Sequence, residues 1–373
     1  MDRAPAPSSR IPALDGIRGI AIVWVVLHNT MDRSLAPAGG VLHLLAAVSH
    51  LGWIGVQLFF ALSGFLITAG LLSSQGTLHY FRDFYAKRAL RILPLYYAVL
   101  FALLVILPRV VTLPARLHAE QQAPLWLFTL NWTQSSPYGF GHFWSLAVEE
   151  QFYLVWPLVV WRLSPRRLLS VCVWIAAGAL LVRCVLVAHG ATWGTLYENT
   201  VCRMDALALG AAGACVLRIP ELRYQLLSRL WSISALALVL FLVGVPLTHI
   251  YDRDSWTGQT FGYTILALCS AAFVAAVAVL PADRARAGIF APLSWPLLRS
   301  CGKYSYAMYV FHGLLHKWLG EPWLVANFGE RPTVQVAYAY AFVVLAASYL
   351  LGFCSYHALE KPFLDLKGRL DDR

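Results

Sequence analysis

IRGIAIVWVVLHNTM, residues 17–31, is an apolar segment with Arg18 near its start and His28 deep inside it. An ionisable side chain within a membrane span costs free energy and marks a functional site by default. The segment is therefore the first candidate span and also the first candidate site.

The composition excludes an ordinary soluble domain. Apolar residues make up 59% of the chain, charged residues make up 13%, and mean hydropathy is +0.62. Soluble domains carry about 25% charged residues, and a span takes about 20 predominantly apolar residues. These values predict an all-α polytopic membrane protein with about ten transmembrane helices, at 14–31, 50–72, 92–108, 143–162, 168–188, 199–217, 230–250, 259–280, 301–320 and 335–358.

The distribution of basic residues predicts the orientation. With both termini cytoplasmic, the inside segments hold 21 of the 29 Lys and Arg residues, the outside loops hold six, and two lie within spans. This bias follows the positive-inside rule. The net charge of +10 then reflects topology and anionic lipid headgroups, and no nucleic-acid-binding motif is present.

We expect a single transmembrane domain over 1–373, with cytoplasmic tails at 1–13 and 359–373. The first apolar stretch lacks a clear small-residue cleavage site, which predicts an uncleaved first span. The seven cysteines form no C-x-x-C pair, so neither a zinc site nor a disulfide framework is indicated. The expected location is the plasma (inner) membrane, as a multi-pass protein.

Short motifs follow one another along nearly the whole chain. They are LDGIRGIAIVWVVLH (14–28), GVQLFFALSGFLIT (55–68), FYAKRALRILPLYY (84–97), HFWSLAVEEQFYLVWPL (142–158), RMDALALGA (203–211), KYSYAMYVFH (303–312) and YHALEKPF (356–363). In this order, and in an apolar chain of this length, they resemble acyltransferase family 3, a family of membrane-bound acyltransferases.

The resemblance implies an enzyme that transfers an acyl group, often acetyl, from cytoplasmic acyl-CoA to a hydroxyl. The acceptor in this family is commonly a cell-envelope carbohydrate: lipopolysaccharide, exopolysaccharide, peptidoglycan or a glycosylated small molecule. Expected partners are the lipid bilayer, acetyl-CoA or another acyl-CoA, and a carbohydrate or lipid-linked saccharide. Some relatives carry a fused extracytoplasmic domain, so this chain would act alone or with a separate extracytoplasmic partner protein. No metal is expected.

His28 is the first candidate catalytic residue. Neutral imidazole removes a proton from a hydroxyl or carries an acyl group as a nucleophile, and both direct transfer and an acyl-histidine intermediate fit. A histidine that only joins neighbouring helices is the structural alternative. The resemblance favours catalysis.

The spacing of the first span departs from the family pattern. The family usually places ten residues between the arginine and the histidine, whereas nine separate Arg18 from His28. An offset of eleven returns a helix to nearly the same face, and an offset of ten leaves it about 80° short. Asn29 occupies the position at offset eleven. Local tightening of the helix, a shifted angle of approach and lost activity are the alternatives.

Three arginines are candidates for binding the donor. Arg18, Arg88 and Arg91 fall at the predicted cytoplasmic boundary, and guanidinium groups bind phosphates bidentately. Coenzyme A is rich in phosphate, so a docking site at this boundary is expected. Ordinary positive-inside charge explains most other basic residues, Lys87 and Arg82 among them.

Glu149 and Glu150 are the other candidate catalytic residues. Two adjacent carboxylates in an apolar run cost free energy unless they are paired or protonated. Either could orient or protonate the catalytic histidine, or bind sugar hydroxyls. The structural alternative is an ion pair with Arg203 or Arg183. Adjacent helical positions diverge by about 100°, so the two carboxylates are not expected to face one cavity.

Aromatic and polar residues toward the predicted outer face suit a sugar, which offers apolar ring faces and hydroxyls. An interfacial aromatic belt is the alternative for any single Trp. The outer loop 109–142 is expected to be re-entrant or interfacial. The candidate substrate-binding residues are Asn131, Trp132, Trp144, Tyr153, Arg203, Asp205, Tyr309 and His312.

Two further functions remain open at this level. Intramembrane charges also mark transport pathways, so a secondary transporter or flippase for a lipid-linked sugar or small molecule is the main alternative to an O-acyltransferase. The arginine cluster with an embedded histidine, and the lack of a visible repeat, favour the enzyme. A scaffold subunit without activity gains weight only from the shifted Arg18–His28 spacing.

Overall fold

A computed structural model describes residues 11–31, 40–110, 119–133, 136–229, 232, 235–237, 239–240, 255–280, 288–329 and 332–371, and these residues contain helices and no strands. The α-helices are α1 (Pro12–Thr30), α2 (Gly40–His50), α3 (Ile54–Ser74), α4 (Tyr80–Phe101), α5 (Leu107–Val110), α6 (Ala119–Trp126), α7 (Trp144–Arg162), α8 (Pro165–Ala188), α9 (Trp193–Glu198), α10 (Thr200–Arg218), α11 (Pro220–Ser228), α12 (Tyr263–Val279), α13 (Pro296–Lys303), α14 (Ser305–Leu314), α15 (Glu321–Phe328), α16 (Val334–Ser355) and α17 (Lys361–Asp371). The all-α prediction is confirmed for the described chain.

Six helical segments are long and apolar enough to cross a membrane, among the residues that the structure describes. Each coincides with a predicted span: the second, third, fifth, sixth, eighth and tenth. The segments are Leu45–Ser74, Tyr80–Val110, Pro165–Ala188, Trp193–Arg218, Gly258–Val279 and Val334–Leu366.

The other four predicted spans have different outcomes. The first and fourth are the helices α1 and α7, and the ninth is a helical stretch that includes α14 and a π-helical segment, Leu315–Gly320. These three contain the polar residues noted above, and they are not among the six segments that are long and apolar enough to cross a membrane. Most of the seventh, 230–250, lies outside the described residues. Ten spans and cytoplasmic termini stay predictions.

The chain divides into two compact units. The first comprises Met1–Arg18, Val56–Tyr80 and Val148–Ser300, and the second comprises Gly19–Gly55, Phe81–Ala147 and Cys301–Arg373. The single-domain prediction is not tested by this division.

Within the first unit, α10 packs against α8 and α12, and glycines bring α3 close to α10. A Cβ on Gly64 would overlap the backbone carbonyl of Leu207, and a Cβ on Gly210 would overlap that of Ala61. Small residues allow two helix backbones to approach closely in membranes. Gly64 and Gly210 therefore serve close packing of these two helices.

Within the second unit, α14 packs against α16, and two tyrosines of α4 hold the C-terminal end of α6. The Tyr96 hydroxyl donates to the carbonyl of Leu125 at 2.7 Å, and the Tyr97 hydroxyl donates to that of Trp126 at 3.1 Å. These bonds satisfy carbonyls at the end of a helix, where no intrahelical donor exists. The described part of the 109–142 segment is thereby anchored.

Candidate functional site

His28 lies in the last turn of α1, half-buried, in the second unit. Its ring centroid is 6.1 Å from that of His50, with the ring planes at 60°. Gly52 makes this approach possible, because a Cβ there would lie 2.7 Å from the Cβ of His28. The imidazole of His28 therefore faces the end of α2 and the turn that follows it.

The helix α1 is α-helical throughout Pro12–Thr30, so no local tightening restores the family spacing. Instead, Asn29 takes the neighbouring face of α1 and meets another helix. Its Nδ2 lies 3.0 Å from Nε2 of His312. Of the three alternatives, the geometry thus favours a shifted angle for His28, with an amide at offset eleven from Arg18.

His312 belongs to a polar cluster within the second unit. Its Nδ1 lies 2.7 Å from the carbonyl of Tyr309, and its side chain is fully buried. The Tyr309 hydroxyl donates to the carbonyl of His142 at 2.9 Å and shares a hydrogen bond of 2.6 Å with the hydroxyl of Ser145. Tyr309 and His312 are therefore brought together with the last turn of α1, through Asn29.

His142 is the second imidazole of this cluster. Its ring centroid lies 4.8 Å from that of His312, and its Nε2 lies 3.2 Å from the carbonyl of Val310. Desolvation by the surrounding protein, and then the neighbouring His312, hold the pKa of His142 well below its ordinary range. His142 is therefore uncharged at neutral pH.

The predicted sugar-binding residues of the outer loop differ in accessibility. Asn131 is buried, whereas the next residue, Trp132, is 54% exposed. Trp144, at the start of α7, is buried. Of these three, Trp132 is the one whose exposure suits contact with a ligand.

Arg88 and Arg91 lie on α4, three residues apart and hence on one face of the helix. Arg88 is half-buried and Arg91 is exposed. The charge of Arg91 also acts on the carboxyl group of Glu360. The exposed guanidinium fits the requirement for an anion-binding group.

The remaining predicted residues belong to the first unit. Arg18 of α1 forms a salt bridge with Asp15 at 3.0 Å, and its side chain is 24% exposed while that of Asp15 is 4% exposed. The buried Asp15 carboxylate therefore holds one terminal nitrogen of the Arg18 guanidinium, while the Arg18 side chain stays partly exposed.

Glu149 terminates a chain of hydroxyl groups. The hydroxyl of Tyr153 donates to that of Ser63 at 3.0 Å, and Ser63 donates to a carboxylate oxygen of Glu149. Glu149 and Tyr153 lie four residues apart on α7, so they share a face of that helix. Glu150 is also half-buried, and its predicted role is not tested.

Arg203 and Asp205 are fully buried on α10. Asp205 pairs with Arg183 at 2.8 Å. Arg183, one of the two arginines predicted as a possible ion-pair partner of Glu149 or Glu150, therefore pairs with a different carboxylate. The Arg203 guanidinium donates to Gln57 and lies over the rings of Tyr197 and Tyr263, at 4.9 and 4.7 Å from their centroids. These contacts tie helices together, and sugar binding by the pair stays a prediction.

Sequence reasoning assigned no role to Asn29, His142 or Ser145. The signal was present for Asn29, which stands at the offset where the family pattern has its histidine. The partners of these residues lie far along the chain, and no local pattern reveals them. Within the part of the chain that the structure describes, no three His, Cys, Asp or Glu side chains lie together as metal ligands would.

Comparison with curated proteins finds relatives of similar sequence. The chain is 29% identical over 379 residues to YrhL of Bacillus subtilis (strain 168), covering 94% of this chain and 54% of the relative. It is 27% identical to the O-acetyltransferase OatA of Staphylococcus aureus (strain NCTC 8325 / PS 47), covering 94% and 57%. It is 24% identical to the peptidoglycan O-acetyltransferase OatA of Listeria monocytogenes serovar 1/2a (strain ATCC BAA-679 / EGD-e), covering 94% and 55%.

The chain thus spans about half the length of the curated relatives that it matches. No solved structure matches it. The profile described as an acyltransferase domain, that of acyltransferase family 3, matches residues 11–353, nearly the whole chain. The chain therefore belongs to acyltransferase family 3.

Proposed function

We propose that this chain is an O-acyltransferase of the plasma (inner) membrane, which moves an acyl group, in the first instance acetyl, from cytoplasmic acyl-CoA to a hydroxyl of a cell-envelope carbohydrate. The observation that carries the proposal is the arrangement of α1. One helix holds a guanidinium near its start and an imidazole in its last turn, about 15 Å apart along the axis at 1.5 Å per residue.

His28 is proposed as the general base and then the general acid of the transfer. His28 accepts the proton of the acceptor hydroxyl while that oxygen bonds to the thioester carbon, and then returns the proton to the leaving thiolate as the carbon–sulfur bond breaks. General acid–base catalysis of this kind contributes about 10²–10⁴-fold to a rate. Half-burial of His28 suits this role, because the ring is held in place but reachable.

Arg88 and Arg91 are proposed to bind the phosphates of the donor, with Arg18 as a third guanidinium. Their position on one face of α4 and the exposure of Arg91 support this role. A pantetheine arm, extended from phosphates bound near the start of α1, is long enough to bring a thioester to His28. With the orientation predicted from charge, the donor enters from the cytoplasm.

The acceptor is proposed to be a saccharide approaching from the outer side. Trp132 offers an exposed side chain for stacking on a sugar face. Asn131, Trp144, Tyr309 and His312, which belong to the same second unit, are proposed as further acceptor-binding residues. Because relatives are described as peptidoglycan O-acetyltransferases, peptidoglycan is the first acceptor to examine.

Roles for the residues of the first unit stay proposals from sequence. Glu149 and Glu150 are proposed as catalytic carboxylates, and Tyr153, Arg203 and Asp205 as acceptor-binding residues. The hydroxyl chain from Tyr153 to Glu149 supports Glu149 over Glu150, because it holds that carboxylate in one orientation.

Radiolabelled acetyl-CoA, purified protein in nanodiscs and soluble peptidoglycan fragments provide the test. We expect release of free coenzyme A thiol and label on the saccharide, and we expect His28→Ala to remove both. His189→Ala is the matched control, because His189 is an exposed histidine at the end of α8. A wild-type protein that consumes no acetyl-CoA with envelope acceptors, or a fully active His28→Ala protein, would overturn the proposal.

A further inference from the structure

The hydrogen bonds of His312, as the side chains are placed, match one protonation state. A backbone carbonyl only accepts, so Nδ1, at 2.7 Å from the carbonyl of Tyr309, carries the hydrogen. The nitrogen of a carboxamide only donates, so Nε2, at 3.0 Å from Nδ2 of Asn29, is the acceptor. His312 is therefore the neutral Nδ1–H tautomer.

The contact with Nε2 of His312 holds the Asn29 carboxamide in one orientation. If the amide were turned over, its oxygen would face the lone pair of Nε2 and the hydrogen bond would be lost. His312 is fully buried and its ring is held from the other side by Tyr309. It is therefore a rigid reference that selects one of the two orientations of the amide.

Asn29 itself is exposed, unlike the histidine that orients it. A carboxamide nitrogen has two hydrogens, and Nε2 of His312 takes one. The other hydrogen belongs to the last turn of α1, one residue along the helix from His28. Adjacent helical positions diverge by about 100°, so a group held next to this turn meets the imidazole on one side and the amide on another.

We infer that Asn29 binds the carbonyl oxygen of the acyl group during transfer, and that His312 is the positioning residue that aims the Asn29 amide. This inference rests on the proposed function. As the hydroxyl oxygen bonds to the carbonyl carbon and its proton passes to His28, the carbonyl π electrons move onto oxygen. The Asn29 N–H stabilises that charge until the carbon–sulfur bond breaks and the thiolate recovers the proton.

A donor aimed at developing charge acts mainly in the transition state. Loss of one such donor lowers kcat by about 10²–10³-fold. Because the ground-state thioester carbonyl carries little charge, the KM for acetyl-CoA should stay nearly constant. Asn29→Ala and Asn29→Asp both remove the donor, and the carboxylate of the second variant keeps the shape of the side chain.

The test is steady-state kinetics of acetyl-CoA turnover by the full chain in nanodiscs. We expect both Asn29 variants to lower kcat by about 100-fold or more with KM unchanged. Thr30→Val is the matched control, since Thr30 is the buried next residue and its hydroxyl donates within α1, to the carbonyl of Val26 at 2.8 Å and to that of Leu27 at 3.3 Å. Wild-type kcat in the Asn29 variants, or a change confined to KM, would overturn the inference.

Substitutions of His312 test the positioning role separately. His312→Gln retains an oxygen that accepts from Asn29, whereas His312→Leu does not. We expect the Gln variant to keep more of kcat than the Leu variant, with equal retention of coenzyme A binding as the measure of correct folding. Equal kcat in the two variants would contradict the inference, even where the Asn29 variants do not fold. A wild-type protein without turnover would instead contradict the proposed function itself.

Discussion

Arg183 and Asp205 form an ion pair of 2.8 Å with both side chains fully buried. The hydroxyl of Thr264 donates to the same carboxylate oxygen at 2.9 Å. The pair joins α8 to α10, two helices that pack together in the first unit. Its members are charged groups in an apolar setting, so each depends on the other.

We predict that Asp205→Ala strongly destabilises the protein. Removing one partner of a buried pair leaves an uncompensated buried charge and costs about 3–5 kcal/mol. The free energy of unfolding in mixed micelles measures this effect. Glu221→Ala is the control, because the Arg166–Glu221 pair is 72% and 64% exposed and exposed pairs contribute less than about 1 kcal/mol. An equal loss of unfolding free energy in Asp205→Ala and Glu221→Ala would show that burial does not make the Arg183–Asp205 pair more stabilising than an exposed pair.

Gly64 provides a test of helix packing. We predict that Gly64→Ala destabilises the protein by at least about 1–3 kcal/mol, the usual cost of overpacking, because the new methyl group would overlap the carbonyl of Leu207. Gly178→Ala is the matched control, since Gly178 is also helical and a Cβ there meets nothing within 4 Å. Thermal unfolding in one detergent compares them. An undisturbed Gly64→Ala protein would mean that α3 and α10 separate at little cost.

A substitution of Glu149 distinguishes the effect of its negative charge from the effect of its shape and hydrogen bonding. Glu149→Gln keeps an oxygen that accepts from Ser63 but loses the negative charge. If Glu149 acts in proton transfer, kcat should fall by about 100-fold while the melting temperature stays close to that of the wild type. Glu150→Gln is the comparison, as the adjacent carboxylate on α7. A lowered melting temperature with unchanged kcat would identify the Glu149 contact as structural only.

Arg88 and Arg91 should affect donor binding more than the chemical step. We predict that Arg88→Gln and Arg91→Gln each raise the KM for acetyl-CoA about tenfold, with little change in kcat, because a charge-assisted contact with a phosphate contributes about 1.5–3 kcal/mol. Arg82→Gln is the control on the same helix, since Arg82 is paired with Asp83 at 3.0 Å. Added salt should raise the wild-type KM in the same way. A KM that depends on neither arginine would remove the donor site from α4.

Much of the fold follows from hydropathy, because six of the predicted spans coincide with helices long enough and apolar enough to cross a membrane. The polar contacts of the site do not follow. Asn29 and His312 are 283 positions apart, and the periodicity of one helix does not indicate which other helix it adjoins. The motifs indicate His28 and α1, whereas the partner of the neighbouring Asn29 lies on α14, which no local pattern connects to α1.

The order of His28 and Asn29 is itself testable. The double variant His28→Asn, Asn29→His places the imidazole at offset eleven from Arg18, the position that the family pattern favours. It also moves the imidazole from the face near His50 to the face near His312, and it removes the amide from that second face. If His28 is the base and Asn29 the carbonyl-binding donor, exchanging them misplaces both groups. We therefore expect kcat to fall by at least about 100-fold.

The opposite outcome has an equally specific meaning. A double variant more active than the wild type would show that the imidazole acts better from the α1 face that meets His312, and would contradict the roles proposed for His28 and Asn29. His28→Asn alone is the control, because it removes the imidazole from the His50 face without supplying one to the other. Comparing the two variants by the rate of coenzyme A release, at equal amounts of folded protein, separates a misplaced base from a missing one.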